Sequence, residues 1–253
     1  MEKIESYVKS VIKALMILEQ YNDSSQEKGI HELSAITNLP VSTTQRLVNT
    51  LQYKGYLIQN PKTSKYYLGY SLYNLSKNVT TNLSWVDDAK YYMKALGDKH
   101  EEAVNLGILE GDEVVYLTKI DSPHILGPNF KKGDKYPAHC SALGKCLIAH
   151  LPPKSLERIL AQPLKRFTKK SIVDIDSIKA ELPKVKKQGY AIDDEEFQDG
   201  LRCVAAPIRN KNMDGLVVAA LSVTAPKQRM SMERLLLIKN DLLEAAQNIS
   251  KLF

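Results

Sequence analysis

One stretch near the N-terminus of the 253-residue chain follows a pattern that only a few small folds accommodate. A short segment with helical periodicity at 30–36 is followed by Asn38 and Pro40, which favour a tight turn, and then by a longer periodic segment at 41–55. Two short runs rich in Tyr and Leu flank a polar turn at 60–64, as in a β-hairpin. This order of helix, turn, longer helix and hairpin predicts a winged helix-turn-helix.

The longer of these helices has one apolar and one polar face. Ser42 and Gln45 have the spacing of a capping box, and Gly55 is suited to end the helix in a left-handed conformation. The apolar positions recur every three or four residues, at Thr44, Leu47, Val48 and Leu51. A polar face of this kind fits the DNA major groove. The residues predicted to contact DNA on the helix and the hairpin are Ser42, Thr43, Gln45, Arg46, Asn49, Lys62 and Lys65.

The distribution of charge supports a polyanionic partner such as double-stranded DNA. No Asp or Glu occurs from Leu33 to Val86, where an even spread of the 29 acidic residues would place about six. Arg46 and four lysines remain in that stretch, so Arg46 is predicted to read a base, and Lys62 and Lys65 to contact phosphates. Some helix-turn-helix domains bind protein instead, which is the alternative interpretation.

Apolar stripes with helical spacing flank this module on both sides. The stripe before it is predicted to pack under the helix-turn-helix and comprises Val8, Val11, Ile12, Leu15 and Leu18. The stripe after it comprises Leu72, Leu75, Val79, Leu83 and Val86. On an otherwise polar helix this second stripe indicates a linker that pairs with a partner helix, or else packs on its own chain. We therefore predict a DNA-binding domain at 7–70, a linker helix at 71–86 and a second domain at 87–253.

The remainder alternates between helical and extended patterns, which predicts an α+β domain with a mixed or antiparallel sheet. Helices are predicted at 86–100, 141–150, 154–160, 174–188 and 230–253. Strands are predicted at 103–109, 114–120, 189–192, 202–208 and 216–224. No apolar run approaches the ~20 residues that span a bilayer, and the first residues lack a signal-peptide pattern. We therefore expect a cytoplasmic location and no membrane partner.

Three stretches of the second domain could hold a small polar ligand. Residues 136–145 pass from an extended segment into a helix, whose first amides suit an anion. Asp193 follows a strand, and Ser222 and Thr224 alternate along another, which places both hydroxyls on one face. Each stretch also has a plainer interpretation: Ser141 as a helix cap, the acids as a solvated turn, and the hydroxyls as outward-facing. Together they indicate a sheet-based pocket.

Three cysteines, Cys140, Cys146 and Cys203, suggest another class of function. Their spacing fits neither a zinc ribbon nor a CxxC redox site, so buried thiols are one interpretation. A cysteine-dependent enzyme would use Cys203 or Cys140 with His139 as the base. A metalloprotein would use His139 and Cys140 with the acids, and a DNA-binding protein without any ligand is a further alternative.

Several motifs also match a known family. They are residues 33–47 and 67–69, residues 139–145, and the spacing Gly189-x3-Asp193-x2-Glu196-x6-Cys203-Val204-Ala205. With these motifs the chain resembles the IclR family of bacterial transcription regulators over nearly its whole length.

The resemblance implies a GAF-like effector domain that binds a small organic acid, and homodimers or homotetramers on palindromic operators. By motif match the effector-binding residues would be Ala142, Leu143, Asp193, Leu201, Cys203, Ser222 and Thr224. Asp193 would repel an anionic ligand unless it is protonated or accepts a hydrogen bond from the ligand. We expect a ligand-controlled regulator, with no catalytic residues, no cofactor and no metal.

Overall fold

The computed structural model describes residues 7–22, 26–82, 84–125 and 130–253, and the side chains of 78–82 lie outside the description. The chain divides into two compact units, Met1–Leu83 and Ser84–Phe253. Within the described residues, none of the helices has the length and apolar character needed to cross a membrane.

The first unit contains the predicted winged helix-turn-helix. Its elements are α1 (Lys9–Glu19), α2 (Ile30–Thr37), α3 (Val41–Tyr53), the hairpin strands β1 (Leu57–Gln59) and β2 (Tyr66–Leu68), and α4 (Tyr70–Asn82). Asn38 ends α2 in the left-handed conformation at φ 54°, and Gly55 at φ 74° turns the chain out of α3. A Cβ at Gly69 would lie 2.1 Å from the Gly55 carbonyl oxygen, so this close crossing of two backbones requires glycine.

The start of α3 differs from the prediction. The N-cap position is occupied by Pro40, without a side-chain hydrogen bond, and Ser42 lies inside the first turn. The prediction that Ser42 caps the helix was wrong, because the φ of Pro40, −55°, already suits a helix start. Gln45 donates instead to the Asn49 side-chain oxygen at 2.8 Å.

The core of the first unit gathers apolar residues from its helices and hairpin. Its buried members are Ile17, Tyr21, Leu33, Val48, Leu51, Leu57 and Tyr66. The prediction that the first apolar stripe packs under the helix-turn-helix was wrong for most of its length, since Val8 and Leu15 are 65% and 51% exposed. Helix α1 turns Ile17 inward, with Ala14 and Leu18 beside it, and leaves the rest of the stripe on the surface.

The predicted linker helix at 71–86 falls on α4 and on the start of α5. Helix α4 covers Tyr70–Asn82 and α5 covers Ser84–His100. Leu75 is 55% exposed, whereas Val86 is buried in α5. Leu83 and the side chain of Val79 lie outside the described residues. The linker role of 71–86 and the domain limits 7–70 and 87–253 stay predictions.

A six-stranded antiparallel sheet forms the centre of the second unit. Its strands are β3 (Ala103–Glu110), β4 (Glu113–Ile120), β5 (Lys135–Pro137), β6 (Ala191–Asp194), β7 (Leu201–Asn210) and β8 (Leu216–Pro226). The spatial order is β5-β4-β3-β8-β7-β6, and every pair of neighbours is antiparallel. The predicted α+β fold is therefore confirmed, with the sheet antiparallel.

Helices cover both faces of this sheet. They are α5 (Ser84–His100), α6 (Ala142–Ile148), α7 (Pro153–Leu160), α8 (Ile175–Gln188) and α9 (Met232–Ile249). Helices α5 and α9 pack together on one face, and α6 packs on the other with α8 behind it. Gly107 of β3 faces Leu143 of α6, because a Cβ there would lie 3.4 Å from the Leu143 side chain. The space between α6 and the sheet contains most of the predicted effector-binding residues.

Candidate functional site

The predicted DNA-contacting residues lie on α3 and on the wing. Ser42, Arg46 and Asn49 are exposed, and Thr43 and Gln45 are half-buried. The opposite side of α3 is buried through Thr44, Val48 and Leu51, as predicted from the helical spacing. Helix α3 therefore presents hydroxyl, amide and guanidinium groups to solvent, the groups that read base edges.

The wing presents Lys62 and Lys65, both exposed, at its tip. Its turn is held by Glu27, a residue that sequence analysis missed. The Asn60 amide and the Thr63 hydroxyl each donate to the Glu27 carboxylate at 2.6 Å. Both hydrogen bonds lower the pKa of Glu27, and the bond from Thr63 has the larger effect. An acid thus fixes the shape of the loop that carries the two lysines.

A large apolar groove borders the same helix. It measures about 1010 Å³ and is lined by Thr43, Arg46 and Asn49 of α3 together with residues of α1 and α4. Leu15 of α1 and Leu75 of α4 are among its walls, and each is more than half exposed. Arg46 and Asn49 therefore stand at the boundary between a polar surface and an apolar one.

In the second unit, polar side chains form a row across four neighbouring strands on the face that α6 covers. The register pairs Asp193 with Cys203, Cys203 with Thr224, and Ser222 with Asn105. The Thr224 hydroxyl donates to the Cys203 sulfur at 3.1 Å, and the Asn105 amide donates to the Thr224 oxygen at 3.2 Å. We call these five residues the polar row. Sequence analysis found four of them and missed Asn105.

Helix α6 begins directly above this row. Ser141 caps it, since its Oγ accepts from the Gly144 amide at 3.2 Å. A Cβ at Gly144 would lie 2.2 Å from Ala138, so glycine lets the helix start against the preceding backbone. Ala142 and Leu143 occupy the first turn and are both buried.

These elements enclose an inner cavity of about 20 Å³. Six of the seven predicted effector-binding residues line it, and Ser222 lies outside the lining although it is buried in the same row. The rest of the lining comprises Ser141, Gln198 and an aromatic wall that was not predicted from the sequence. Its four rings belong to Tyr116, Phe130, Tyr136 and Phe197. A cavity of this size has room for about one water molecule, so a larger ligand must displace part of the wall.

Asp193 lies buried at one end of the polar row. Its Oδ1 accepts from the Glu196 amide at 2.6 Å. Burial, and then the neighbouring Glu196 carboxylate, raise the pKa of Asp193 to about 7. The side chain therefore changes between donor and acceptor near neutral pH.

The environment of the cysteines disfavours the thiolate that a cysteine-dependent enzyme requires. Burial raises the pKa of Cys203 and of Cys140 to about 12. The Nε2 of His139 is directed at the Lys165 carbonyl oxygen, 3.0 Å away. In the described part of the chain no hydrogen bond joins His139 to either thiol, and no three His, Cys, Asp or Glu side chains cluster as metal ligands would.

The two units together define a class of protein: a transcription regulator with a winged helix-turn-helix and a second domain that encloses a small cavity with buried polar groups. The model of the IclR helix-turn-helix domain matches residues 10–61, and that of the bacterial transcriptional regulator IclR C-terminal domain matches residues 77–251. The chain belongs to the IclR family of bacterial transcriptional regulators, which confirms the resemblance inferred from the motifs.

Its relatives share this organisation along nearly the whole chain. It is 33% identical over 245 residues to the HTH-type transcriptional regulator XynR of Escherichia coli K12, covering 96% of each protein. It is 34% identical over 236 residues to KdgR of the same organism, covering 93% of this chain and 89% of KdgR. A crystal structure of an IclR homologue from Microbacterium hydrocarbonoxydans, complexed with 4-hydroxybenzoate, has a TM-score of 0.80 at 25% identity and covers 96% of this chain and 98% of that one.

Proposed function

We propose that this regulator binds a palindromic operator in the cytoplasm and that a small organic acid in the inner cavity controls its operator affinity. The observation that carries the proposal is the assembly of Asp193, Cys203, Thr224 and the first turn of α6 around one buried cavity. Buried polar groups that converge on an otherwise apolar cavity suit the recognition of a small polar molecule. The homologue complexed with 4-hydroxybenzoate supports an acid as the class of ligand.

On DNA, α3 enters the major groove and the wing lies along the backbone. Arg46 is the exposed guanidinium on α3 and donates to base edges there, most favourably to guanine. Lys62 and Lys65 contact phosphates, which orient the domain without reading sequence. Glu27, which holds the wing turn, keeps both lysines in place.

A palindromic operator requires two copies of α3, and the apolar surface of the first unit suits a second copy of this chain. Leu15 of α1 and Leu75 of α4 are exposed along the groove that borders α3. Exposed apolar surfaces of this extent indicate an interaction site. We infer a homodimer through α1 and α4, able to pair further into a tetramer.

The experiment that tests the function has two steps. A thermal-shift screen of small carboxylic and sugar acids on the purified chain identifies the effector, and an operator selected from a random DNA library is then titrated with and without it. The proposal expects the effector to change operator affinity by about 5–150-fold, the usual range of coupling between two sites. Unchanged affinity at saturating effector would favour a DNA-binding protein without ligand control.

The cysteine-dependent enzyme is tested with the same acids. The raised pKa values of Cys203 and Cys140 predict no consumption of any acid that binds. Conversion of a bound acid that is lost in Cys203→Ser would establish an enzyme instead.

A further inference from the structure

Two cavities of the second unit meet at one pair of aromatic rings. The inner cavity contains Asp193 and Cys203, and an outer pocket of about 370 Å³ lies between β5 and residues 159–167. Tyr136 and Phe197 line both of them. Their ring centroids are 5.1 Å apart with an interplanar angle of 80°, so the two rings meet edge to face and form the wall between the cavities.

The sizes of the two cavities differ in a way that matters for binding. The inner cavity, at about 20 Å³, is too small for even a short acid. The outer pocket, at about 370 Å³, is within the range of sites for small molecules. An acid that reaches the polar row must therefore displace a wall of the inner cavity, and the outer pocket lies directly behind that wall.

Phe197 is the ring placed to move. It is half-buried on the turn between Glu195 at φ 65° and Gly200 at φ 79°. The Glu195 carboxylate accepts from Lys170 at 2.8 Å and from Lys227 at 2.6 Å, which fixes one end of the turn. The Phe197 side chain, two residues further on, can thus rotate towards the outer pocket while the base of the turn stays in place.

The outer pocket offers an apolar wall next to a positive charge. Phe167 packs against Phe197 with ring centroids 5.2 Å apart, and the Lys165 ammonium lies 5.0 Å from the Phe167 centroid. His139 lies in the same pocket, and burial lowers its pKa, so its ring is neutral at physiological pH. Lys135, also in the lining, pairs with Glu110 at 2.7 Å. Lys165 is therefore the cation placed beside the aromatic wall.

We propose that the inner cavity and the outer pocket are two halves of one effector site, and that Phe197 sets the size of the acid that enters it. This inference rests on the proposed control by an organic acid and names its class: a carboxylic acid with a ring-sized apolar body. Such an acid displaces Phe197, packs against Phe167 with its negative charge near Lys165, and directs a hydrogen-bonding group to the polar row.

Cys203 reports on this wall without any effector, because its thiol lines the inner cavity. The small uncharged reagent methyl methanethiosulfonate is reacted with the full chain, and the modification of each cysteine is followed by peptide mass spectrometry. The rate at Cys203 is divided by the rate at Cys146, which is fully buried away from the cavity, so that general loosening of the domain cancels. We expect Phe197→Ala to raise this ratio about 10-fold.

Leu164→Ala is the matched control, because Leu164 lines the outer pocket but not the inner cavity. Its ratio is expected to stay within about 2-fold of wild type. If Phe197→Ala does not fold, Phe197→Leu replaces it and should raise the ratio by a smaller factor. A ratio in the folded Phe197 variant equal to that of wild type would overturn the proposal, even if an acid controls DNA binding.

The predicted size of the acid is tested by measuring how well different acids protect Cys203 from modification in the Phe197→Ala protein. Millimolar benzoate is expected to slow the modification of Cys203, and acetate at the same concentration is expected not to. Equal protection by the two acids, or none by benzoate, would overturn the ring-sized class. Because the readout is thiol modification, the result is independent of whether either acid changes operator affinity.

Discussion

Lys145 of α6 forms an ion pair with Glu196 in the turn after β6, and both side chains are almost completely buried. The pair joins the helix above the polar row to the turn that carries Phe197. Glu196→Gln should leave the Lys145 ammonium buried without its ion-pair partner and lower the free energy of unfolding by about 3–5 kcal/mol. Lys145→Met combined with Glu196→Gln should recover much of this loss. Urea unfolding measures both variants.

The control for this prediction is an ion pair of the same chemistry on the surface. Lys94 and Asp98 on α5 are 2.6 Å apart and more than half exposed. Asp98→Asn should therefore cost no more than about 1 kcal/mol. A Glu196→Gln variant as stable as Asp98→Asn would contradict the role given to the buried pair.

Asp193 should make stability depend on pH near neutrality. Its pKa of about 7 lies above the ordinary 3.8, so folding favours the protonated carboxyl. The stability gained is fully present below about pH 4 and is lost as pH rises through 7. The melting temperature of wild type, relative to Asp193→Asn, should accordingly fall between about pH 5 and pH 8.

Glu195, in the same turn, provides the opposite case. Hydrogen bonds from Lys170 and Lys227 lower the pKa of Glu195 to about 2. Its contribution to the free energy of unfolding is therefore constant above about pH 4.5. The difference between wild type and Glu195→Gln should not change between pH 5 and pH 8. A flat profile for Asp193→Asn as well would show that Asp193 is ionised throughout this range.

Arg46 and Lys62 are predicted to affect DNA binding in different ways. Arg46→Ala should cost about 1–3 kcal/mol on the selected operator and relax its sequence preference, because it removes a contact to a base edge. Lys62→Ala should weaken binding to all DNA sequences alike. It should also reduce the slope of log affinity against log salt concentration by about 1. Fluorescence anisotropy on operator and scrambled DNA, at several salt concentrations, separates the two effects. Operator discrimination that survives Arg46→Ala would move the recognition surface away from this residue.

The exposed leucines of α1 and α4 should mediate dimerisation. Leu15→Glu with Leu75→Glu would place four carboxylates in the interface of a dimer, which should dissociate it and weaken operator binding. Light scattering measures the mass of the variant. As the matched control, Leu237→Glu alters another leucine that is more than half exposed, on α9, and should leave the mass unchanged. If Leu15→Glu with Leu75→Glu keeps the mass and operator affinity of wild type, the two chains pair elsewhere.

How much could be predicted from the sequence depended on the range of the interactions involved. The helix-turn-helix, the cap at Ser141 and the two hydroxyls of β8 follow from spacing within a few residues, and the structure contains them. Asn105 and Glu27 were missed because their partners lie far along the chain, on β8 and on the wing. Only the strand register and the hairpin bring these groups together.

The aromatic wall was missed for a related reason. Phe197 follows four acidic residues and has the local pattern of a solvated turn. Its ring meets Tyr136 because β5 and the turn after β6 both approach α6, although they lie at opposite edges of the sheet. The outward-facing stripe of α1 illustrates the same limit, since helical periodicity identifies an apolar face but not the surface that covers it.

The most direct test of the central claim measures the coupling between the cavity and the operator. Ser222→Ala with Thr224→Val removes two hydroxyls of the polar row, and Thr118→Val removes a buried hydroxyl from the opposite face of the sheet. Operator affinity is measured for wild type and both variants, without and with the effector found by thermal shift. We predict that all three bind operator equally without effector, and that only the Ser222/Thr224 variant loses the coupling of about 1–3 kcal/mol. A Ser222/Thr224 variant that responds to the effector as wild type does would contradict the assignment of this cavity as the effector site.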